Sequence, residues 1–496
     1  MWSRCIFHIG FALPAGLFAC ALVLGSGAAH AFDLDGNGVS DLLFRDRSQG
    51  DHRLEIVLND RSGPFARRSL LLATGDDPDL AFDVRSGEFD GDGSSDILTR
   101  SLRTGSLRVR LMDGTTIRSQ RLLTEVPAGL TDTLEAIADF DGNGTDDLLV
   151  RTGADFTWSV YPVDGTTASS ASSGATGIPQ RAAMRLVAAA DFDGDGQADI
   201  LLRNANTLTW VLYRMKGAQV VSAAVVGALP PDPRWELQTV DDFDRDGRAD
   251  LLLRQRDTGA WWTGFMDGAA VKTVSGSTDI PTARAWALQA TADFNGDGFT
   301  DVLLSRRDTG AVYTTLLMGR ARLDGSGTVA LGSDPQRRVA GAADFDGDGF
   351  AEALTIDGSG RWGFATVAGR SAGATLTLPL PGAGQLRFAC APPAYHEFGA
   401  IEPPATSGSA WAFLGWSRPA TRENGEALCR HELAGYRVQA NRTGGAETRT
   451  VAIGDPATRW QLFERLTPGV WSFRVSALDE NGRASRPAGP VAKTIP

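Results

Sequence analysis

The 496-residue sequence predicts an all-β fold, in which a β-propeller built from seven repeats is followed by a smaller β-sandwich. Three observations predict it. An acidic nine-residue loop returns seven times, at intervals of 51 to 55 residues. Between successive loops lie four short strand-like runs separated by Gly- and Asp-containing turns, which is typical of one propeller blade. After about residue 398 the loops stop and the pattern of the chain changes.

Each acidic loop has the donor set of a metal site. Oxygen-bearing side chains occupy positions 1, 3, 5 and 9, and Gly at position 6 permits a sharp turn that lets the carbonyl at position 7 join them. Such hard oxygen ligands favour Ca²⁺ over Mg²⁺, and no loop contains the Cys or His that Zn²⁺ or copper prefers. The sequence therefore predicts up to seven bound Ca²⁺ ions, one in each loop. The candidate ligands are, loop by loop, Asp33, Asp35, Asn37 and Asp41; Glu88, Asp90, Asp92 and Asp96; Asp139, Asp141, Asn143 and Asp147; Asp191, Asp193, Asp195 and Asp199; Asp242, Asp244, Asp246 and Asp250; Asp293, Asn295, Asp297 and Asp301; and Asp344, Asp346, Asp348 and Glu352.

Two other interpretations of these loops were compared with calcium binding. An EF-hand would need a Glu at position 12 and flanking helices, whereas position 12 holds no ligand in any copy and the flanks are strand-like. A solvated Asp/Gly turn is the second alternative, but four acids in one turn repel each other unless a cation lies among them. Glu88 and Glu352 have longer side chains than the Asp of the other copies, which sets the second and seventh loops apart.

Charge and targeting patterns indicate an exported protein. Positions 1, 3, 5 and 9 of the loops carry 25 of the 60 acidic residues. With a net charge of −12 and no Lys/Arg-rich run, we expect neither nucleic acid nor an anionic membrane as a partner. Residues 1–31 are typical of a signal peptide ending at Ala29-His30-Ala31, with an uncleaved anchor or a lipoprotein site at Cys20 as alternatives. We expect a secreted, periplasmic or cell-surface protein, without membrane insertion after cleavage. It is expected to be a monomer.

The repeats also predict how the first blade is completed. The first loop begins at Asp33, so the first repeat lacks the strand that precedes the loop in every other repeat. The run Gln385–Cys390 has the same apolar alternation and follows the last repeat. We therefore expect this run to add the missing strand to the first sheet, which removes exposed sheet edges.

The loop sequences resemble a known repeat family. The DFDGDGxxD pattern, preceded by small residues as in Ala343-Asp344-Phe345, is similar to FG-GAP or VCBS repeats, the family that includes the integrin α-chain propeller. The resemblance spans all seven units. It implies a seven-bladed β-propeller over residues 32–391 with Ca²⁺ in the interstrand loops, and it leaves the ligand open because the family includes adhesins, lectins and enzyme-associated domains.

The C-terminal part resembles a different family. After a linker at residues 392–400, residues 401–496 contain strand-like runs, and Leu466-Thr-Pro-Gly-Val-Trp471 is similar to one corner of a fibronectin type III domain. That family usually has Tyr at the position of Trp471, so the corner hydrogen bond would come from the indole N–H or be lost. Cys390 and Cys429 predict one disulfide, or else two free thiols.

The motifs favour a binding or adhesion module for a surface glycan or protein over an enzyme. His431-Glu432 lacks the second His of a zincin motif, and no nucleophile elbow is present, so no catalytic residues are assigned. A calcium-assisted, lyase-like polysaccharide enzyme and a structural part of an envelope assembly are the alternatives. The recurring Arg after the loop (Arg45, Arg100, Arg151, Arg203, Arg254) and the recurring aromatic residue (Trp158, Trp210, Trp261, Tyr313, Trp362) are structural, or else an anion ring and a sugar platform.

Overall fold

The computed structural model describes residues 33–46, 53–59, 66–71, 82–377, 386–388, 412–415 and 433–495, with short gaps inside the two longest ranges. These residues form strands, bends and turns, and no helix occurs among them that could cross a membrane. The predicted signal peptide, the predicted linker, Cys390 and Cys429 lie outside the described residues.

Within the described residues, Leu42 to Phe388 form seven four-stranded antiparallel sheets, one for each acidic loop. The first sheet contains β1 (Leu42–Asp46), β2 (Arg53–Leu58), β3 (Ala66–Leu71) and the late strand β32 (Leu386–Phe388). The second contains β4 (Phe82–Gly87), β5 (Asp96–Ser101), β6 (Leu107–Asp113) and β7 (Thr116–Leu122). The third contains β8 (Thr133–Ala138), β9 (Asp147–Arg151), β10 (Trp158–Tyr161) and β13 (Gly174–Ala175), with the small hairpin β11 (Val163–Asp164) and β12 (Thr167–Ala168) at its end.

The remaining four sheets repeat this order. The fourth contains β14 (Met184–Ala190), β15 (Asp199–Asn204), β16 (Trp210–Lys216) and β17 (Gln219–Val225). The fifth contains β18 (Trp235–Asp241), β19 (Asp250–Gln255), β20 (Trp261–Asp267) and β21 (Ala270–Ser277). The sixth contains β22 (Trp286–Ala292), β23 (Asp301–Arg306), β24 (Val312–Thr315) and β27 (Gly327–Val329), with the hairpin β25 (Leu317–Met318) and β26 (Ala321–Arg322). The seventh contains β28 (Arg338–Ala343), β29 (Glu352–Ile356), β30 (Trp362–Ala368) and β31 (Ser371–Thr377).

The strand composition explains which part of each sheet is buried. The second strand of a repeat is rich in Leu and Ile and is buried on both faces, as in Leu251, Leu252 and Leu253 of β19. The fourth strand is the most exposed, as in β17, where six of seven residues are exposed. The hydrophobic clusters join residues of neighbouring sheets, so the core lies between sheets and not only within them.

The first sheet is completed by the late strand, which confirms the expected pairing. β1 pairs antiparallel with β32, with Phe44 opposite Phe388 and Asp46 opposite Leu386. The two ends of the repeat region therefore share one sheet, and the edge that β1 would otherwise expose is covered.

The C-terminal region forms two further sheets. One has the order β35 (Thr448–Ile453), β34 (Leu433–Arg442), β37 (Gly469–Asp479) and β38 (Ala488–Ile495); the other pairs β33 (Ala412–Gly415) with β36 (Trp460–Phe463). Tyr436, Leu466 and Trp471 are buried in one cluster. The indole N–H of Trp471 donates to the carbonyl oxygen of Thr467 at 2.8 Å. The hydrogen bond expected either to come from this indole or to be lost is therefore present.

Candidate metal sites in the acidic loops

The structure brings carboxylates of the loops together. Six groups of at least three potential metal-ligating side chains in the described residues have ligand atoms within 4.8 Å of one another. Four of them combine positions 1, 3 and 9 of a loop: Asp33, Asp35 and Asp41; Glu88, Asp90 and Asp96; Asp139, Asp141 and Asp147; and Asp191, Asp193 and Asp199. Another combines positions 1, 3 and 5, namely Asp242, Asp244 and Asp246. Several clusters in the described chain can therefore hold a metal ion.

The carboxylate at position 1 organises the loop backbone. In the fourth loop, Asp191 Oδ1 accepts the N–H of Gly194 at 2.6 Å, and Oδ2 accepts the N–H of Gly196 at 2.8 Å. Both glycines have positive φ angles of 81° and 85°, a conformation that side chains with a Cβ rarely adopt. The glycines therefore let the loop curl around the position-1 carboxylate.

The carboxylate at position 9 is buried and fixes the loop to the third strand of its sheet or to the hairpin that follows that strand. Asp147 Oδ2 accepts the N–H of Phe140 at 3.0 Å, and Oδ1 accepts the N–H of Val163 at 3.1 Å. The same pair of bonds recurs in other loops, for example at Asp301 with Phe294 and Leu317. Position 9 is therefore held rigidly against the ligands at positions 1 and 3.

Position 5 has mainly a local role in the described structure. Asp92 Oδ1 accepts the N–H of Ser94 at 2.8 Å, and Asp195 Oδ1 accepts the N–H of Gln197 at 2.9 Å. Asn143 accepts from Thr145 in the same way. These bonds span two residues and close the turn, while the second carboxylate oxygen of Asp92 contacts Arg118.

The electrostatics of the loops favour a bound cation. Burial, with a smaller contribution from neighbouring acids, raises the pKa of the position-9 carboxyl to about 8 in Asp41, Asp147 and Asp199, and to about 9 in Asp250. Asp199 Oδ2 and Glu352 Oε1 are buried and have no hydrogen-bond partner. A divalent cation with oxygen ligands would satisfy these atoms and stabilise the charged carboxylates, so the residues present fit Ca²⁺.

A ring of hydrogen bonds connects each loop to the next. The backbone N–H at position 8 donates to the carbonyl oxygen at position 1 of the preceding loop at six of the seven junctions: Ser95 to Asp33 (2.6 Å), Asp146 to Glu88 (2.6 Å), Ala198 to Asp139 (2.7 Å), Ala249 to Asp191 (2.8 Å), Ala351 to Asp293 (2.9 Å) and Ser40 to Asp344 (3.0 Å). At the remaining junction the Thr300 hydroxyl donates to Asp242 at 3.2 Å. The candidate metal sites therefore lie directly at the contacts between neighbouring sheets.

The recurring arginines pack against the recurring tryptophans in three of the described repeats. Arg203 lies over the Trp210 ring at 4.6 Å and donates to the carbonyl oxygens of Asp232 and Trp235. Arg254 repeats this arrangement over Trp261. Trp158, Trp210, Trp261 and Trp362 are at most 2% exposed. The interpretation of these tryptophans as a sugar-stacking platform is therefore wrong, because no ring face is accessible.

Several functional contacts were not expected from the sequence. Phe at loop position 2 is buried in six loops, and basic side chains contact loop carboxylates: Arg118, Arg214 and Lys272. The recurrence of Phe beside the first acid was a usable signal for a core position. The basic residues lie 21 to 28 residues from their partners, so pairing register was needed to find them.

The repeats match a known family in part of the chain. Residues 139–202, 191–253, 242–304 and 293–355 each match the family described as FG-GAP-like repeat, and each segment runs from one acidic loop to the strand after the next loop. Four FG-GAP-like repeats in an all-β chain of recurring four-stranded sheets support a repeat β-propeller. No curated protein matches the sequence.

Solved structures show only distant similarity. Sqt1 from Saccharomyces cerevisiae is 12% identical with a TM-score of 0.37, covering 84% of this chain and 91% of that chain. The extracellular domains of BT4673 and BT3049 from B. thetaiotaomicron are each 11% identical, with TM-scores of 0.35 and 0.31. Both alignments cover 92% of this chain. They cover 62% of the BT4673 chain and 55% of the BT3049 chain. These scores are too low to support an inference about this chain.

Proposed function

We propose that residues 32–391 form a closed seven-bladed β-propeller whose acidic loops bind Ca²⁺, and that the propeller is an exported binding or adhesion module for a surface glycan or protein. The observation that carries this proposal is the ring of hydrogen bonds between successive loops. It supports the proposal because each candidate calcium site lies beside a hydrogen bond between neighbouring sheets, so metal binding would brace the whole ring.

A braced ring suits binding because it holds exposed loops on a fixed scaffold of strands. At positions 4 to 6 of the third loop, Gly142, Asn143 and Gly144 are exposed, whereas Asp147 at position 9 is fully buried. Binding functions are usually carried by such exposed loops on a rigid scaffold. Binding is proposed rather than catalysis, and the partner is a glycan or a protein.

The C-terminal sheets are proposed to form a fibronectin type III-like domain that acts as a spacer or a second contact. The Trp471–Thr467 hydrogen bond supports this assignment, since it replaces the usual Tyr corner with an indole donor. Export is proposed from the signal-like residues 1–31.

The binding proposal is tested by screening residues 32–496 on a glycan array and against surface proteins, with millimolar Ca²⁺ or with a chelator. Calcium-dependent retention of a glycan or a protein is expected. Asp141→Ala, in the third loop, should weaken retention if calcium at that site supports binding, whereas Asp164→Ala, at an exposed position in the hairpin of the same repeat, should not. Turnover of a polysaccharide without stable binding would contradict the proposal.

A further inference from the structure

In the second and fifth acidic loops, a basic side chain from the hairpin after the third strand contacts predicted calcium ligands. Arg118 Nη2 lies 2.6 Å from Asp90 Oδ2 and also contacts Asp92, at positions 3 and 5 of the second loop. The Arg118 Nε donates to the carbonyl oxygen of Met112 at 3.0 Å, which orients the guanidinium. In the fifth loop, Lys272 Nζ contacts Asp246. A positive charge from this hairpin therefore lies against two of the candidate metal sites, whereas the fourth loop is contacted by Arg214 from the third strand.

Both basic residues occupy the same position in their sheets, a β-bulge between the third and fourth strands. β6 and β7 pair Leu111 with Ser119 and then Met112 with Ile117, so Arg118 is the extra residue. β20 and β21 show the same shift, and Lys272 is the extra residue there. A bulge changes the direction of a side chain, and here it directs the charge toward the acidic loop of the same repeat.

The third, fourth, sixth and seventh repeats lack a charge at this position, four residues after the hairpin glycine. The equivalent residues are Ser169, Val221, Leu323 and Gly373. Val221 lies at the same bulge in the fourth sheet and is 55% exposed, so this position is not required for packing. The fold therefore does not require a basic residue at this bulge, and the second and fifth repeats have one there.

We propose that Arg118 and Lys272 are tethered cations that compete with Ca²⁺ in the second and fifth loops. A guanidinium or ammonium that neutralises the carboxylates must leave them before the metal binds, so these two sites are weaker for Ca²⁺ than the third. The same charges keep the two loops neutralised when calcium is removed. This inference rests on the calcium binding proposed above, and it predicts two classes of site within one ring.

The test replaces both residues by the serine found in the third repeat. In the Arg118→Ser/Lys272→Ser double variant, equilibrium dialysis with calcium-45 should show two sites that bind about tenfold more tightly than in the wild type. Its thermal midpoint should fall in calcium-free buffer and recover in millimolar Ca²⁺. Arg121→Ser is the matched control, since Arg121 lies on the same strand but pairs with Glu125 outside the loops. The control should leave calcium affinity unchanged.

A reverse variant covers the case in which the double variant does not fold. Val221→Arg adds a charge at the exposed bulge of the fourth sheet, where Arg214 already contacts Asp193, and should weaken that calcium site further. Affinities identical to the wild type in all variants would overturn the inference while leaving calcium binding intact. A wild-type protein that binds no calcium would overturn both this inference and the calcium part of the proposed function.

Discussion

The backbone N–H of Ser40 donates a 3.0 Å hydrogen bond to the carbonyl oxygen of Asp344, so the first acidic loop is bound directly to the last. Together with the pairing of β1 and β32, this contact joins the beginning and end of the repeat region. The closure of this ring depends on β32, a three-residue strand that follows all seven loops.

Removing that segment should open the first sheet. A protein of residues 32–383 lacks β32, and we expect it to aggregate because β1 then exposes its edge. A protein of residues 32–393 retains β32 and should remain soluble. Size-exclusion chromatography of the two proteins measures the difference, and equal behaviour would show that β32 does not close the ring.

Replacing Leu208 by glycine should stabilise the fourth sheet. Leu208 has a φ of 62°, and its N–H donates to the carbonyl of Asn204 in a turn where other repeats have Gly105, Gly259 or Gly310. Relief of this left-handed conformation should raise the free energy of unfolding by about 1 kcal/mol. Thr207→Gly, one residue earlier, is the control and should not stabilise. Equal destabilisation by both substitutions, measured by thermal unfolding, would contradict the argument.

Replacing Trp471 by phenylalanine should loosen the C-terminal sheets. The substitution removes the indole donor to Thr467 and should cost about 1–2 kcal/mol, with an added contribution from lost packing. Hydrogen exchange followed by mass spectrometry should be faster in peptides covering β34 and β37. Peptides from the seven repeat sheets serve as the internal control. An unchanged exchange rate in β34 and β37 would show that the hydrogen bond contributes nothing.

Calcium should offset the fall in stability that rising pH causes in the metal-free protein. The folded-state pKa of Asp147 is raised from 3.8 to about 8, so without metal the folded protein binds protons more tightly than the unfolded chain. This contribution is fully present below the unfolded pKa and is lost as the pH rises through about 8. In metal-free buffer the thermal midpoint should therefore fall between about pH 6 and about pH 8.5. Calcium requires the charged carboxylates, so the stabilisation by calcium should grow over the same interval. Calcium must be removed with a chelating resin, since chelators themselves titrate.

Local patterns in the sequence were sufficient to predict the loops, the strands and the missing strand of the first sheet. The spacing of Asp and Gly defines the loop. Alignment of the repeats shows that the first lacks its leading strand, and β32 takes the place of that strand. The double hydrogen bonding of Asp147 and the contact of Arg118 with Asp90 could not be predicted in this way. Both depend on the pairing register of strands far apart in sequence, and on a bulge that no local pattern specifies.

The burial of the tryptophans illustrates the same limit. A recurring aromatic residue on a strand with alternating apolar and polar residues can lie in the core or form an exposed platform. The choice depends on what packs on its faces, and Arg203 and Arg254 cover the Trp210 and Trp261 rings. Covering by a side chain from the neighbouring strand can be seen only once the sheets are assembled.

Thermal unfolding of residues 32–496 with and without calcium tests the central claim that the acidic loops are calcium sites bracing the ring. At a Kd of about 10⁻⁴ M and about 1 mM free Ca²⁺, each site adds roughly 1.4 kcal/mol, so several sites should raise the midpoint by many degrees. Asp193→Ala should remove only part of this increase, because the other loops keep their ligands. An identical midpoint in millimolar Ca²⁺ and in calcium-free buffer at neutral pH would contradict the account.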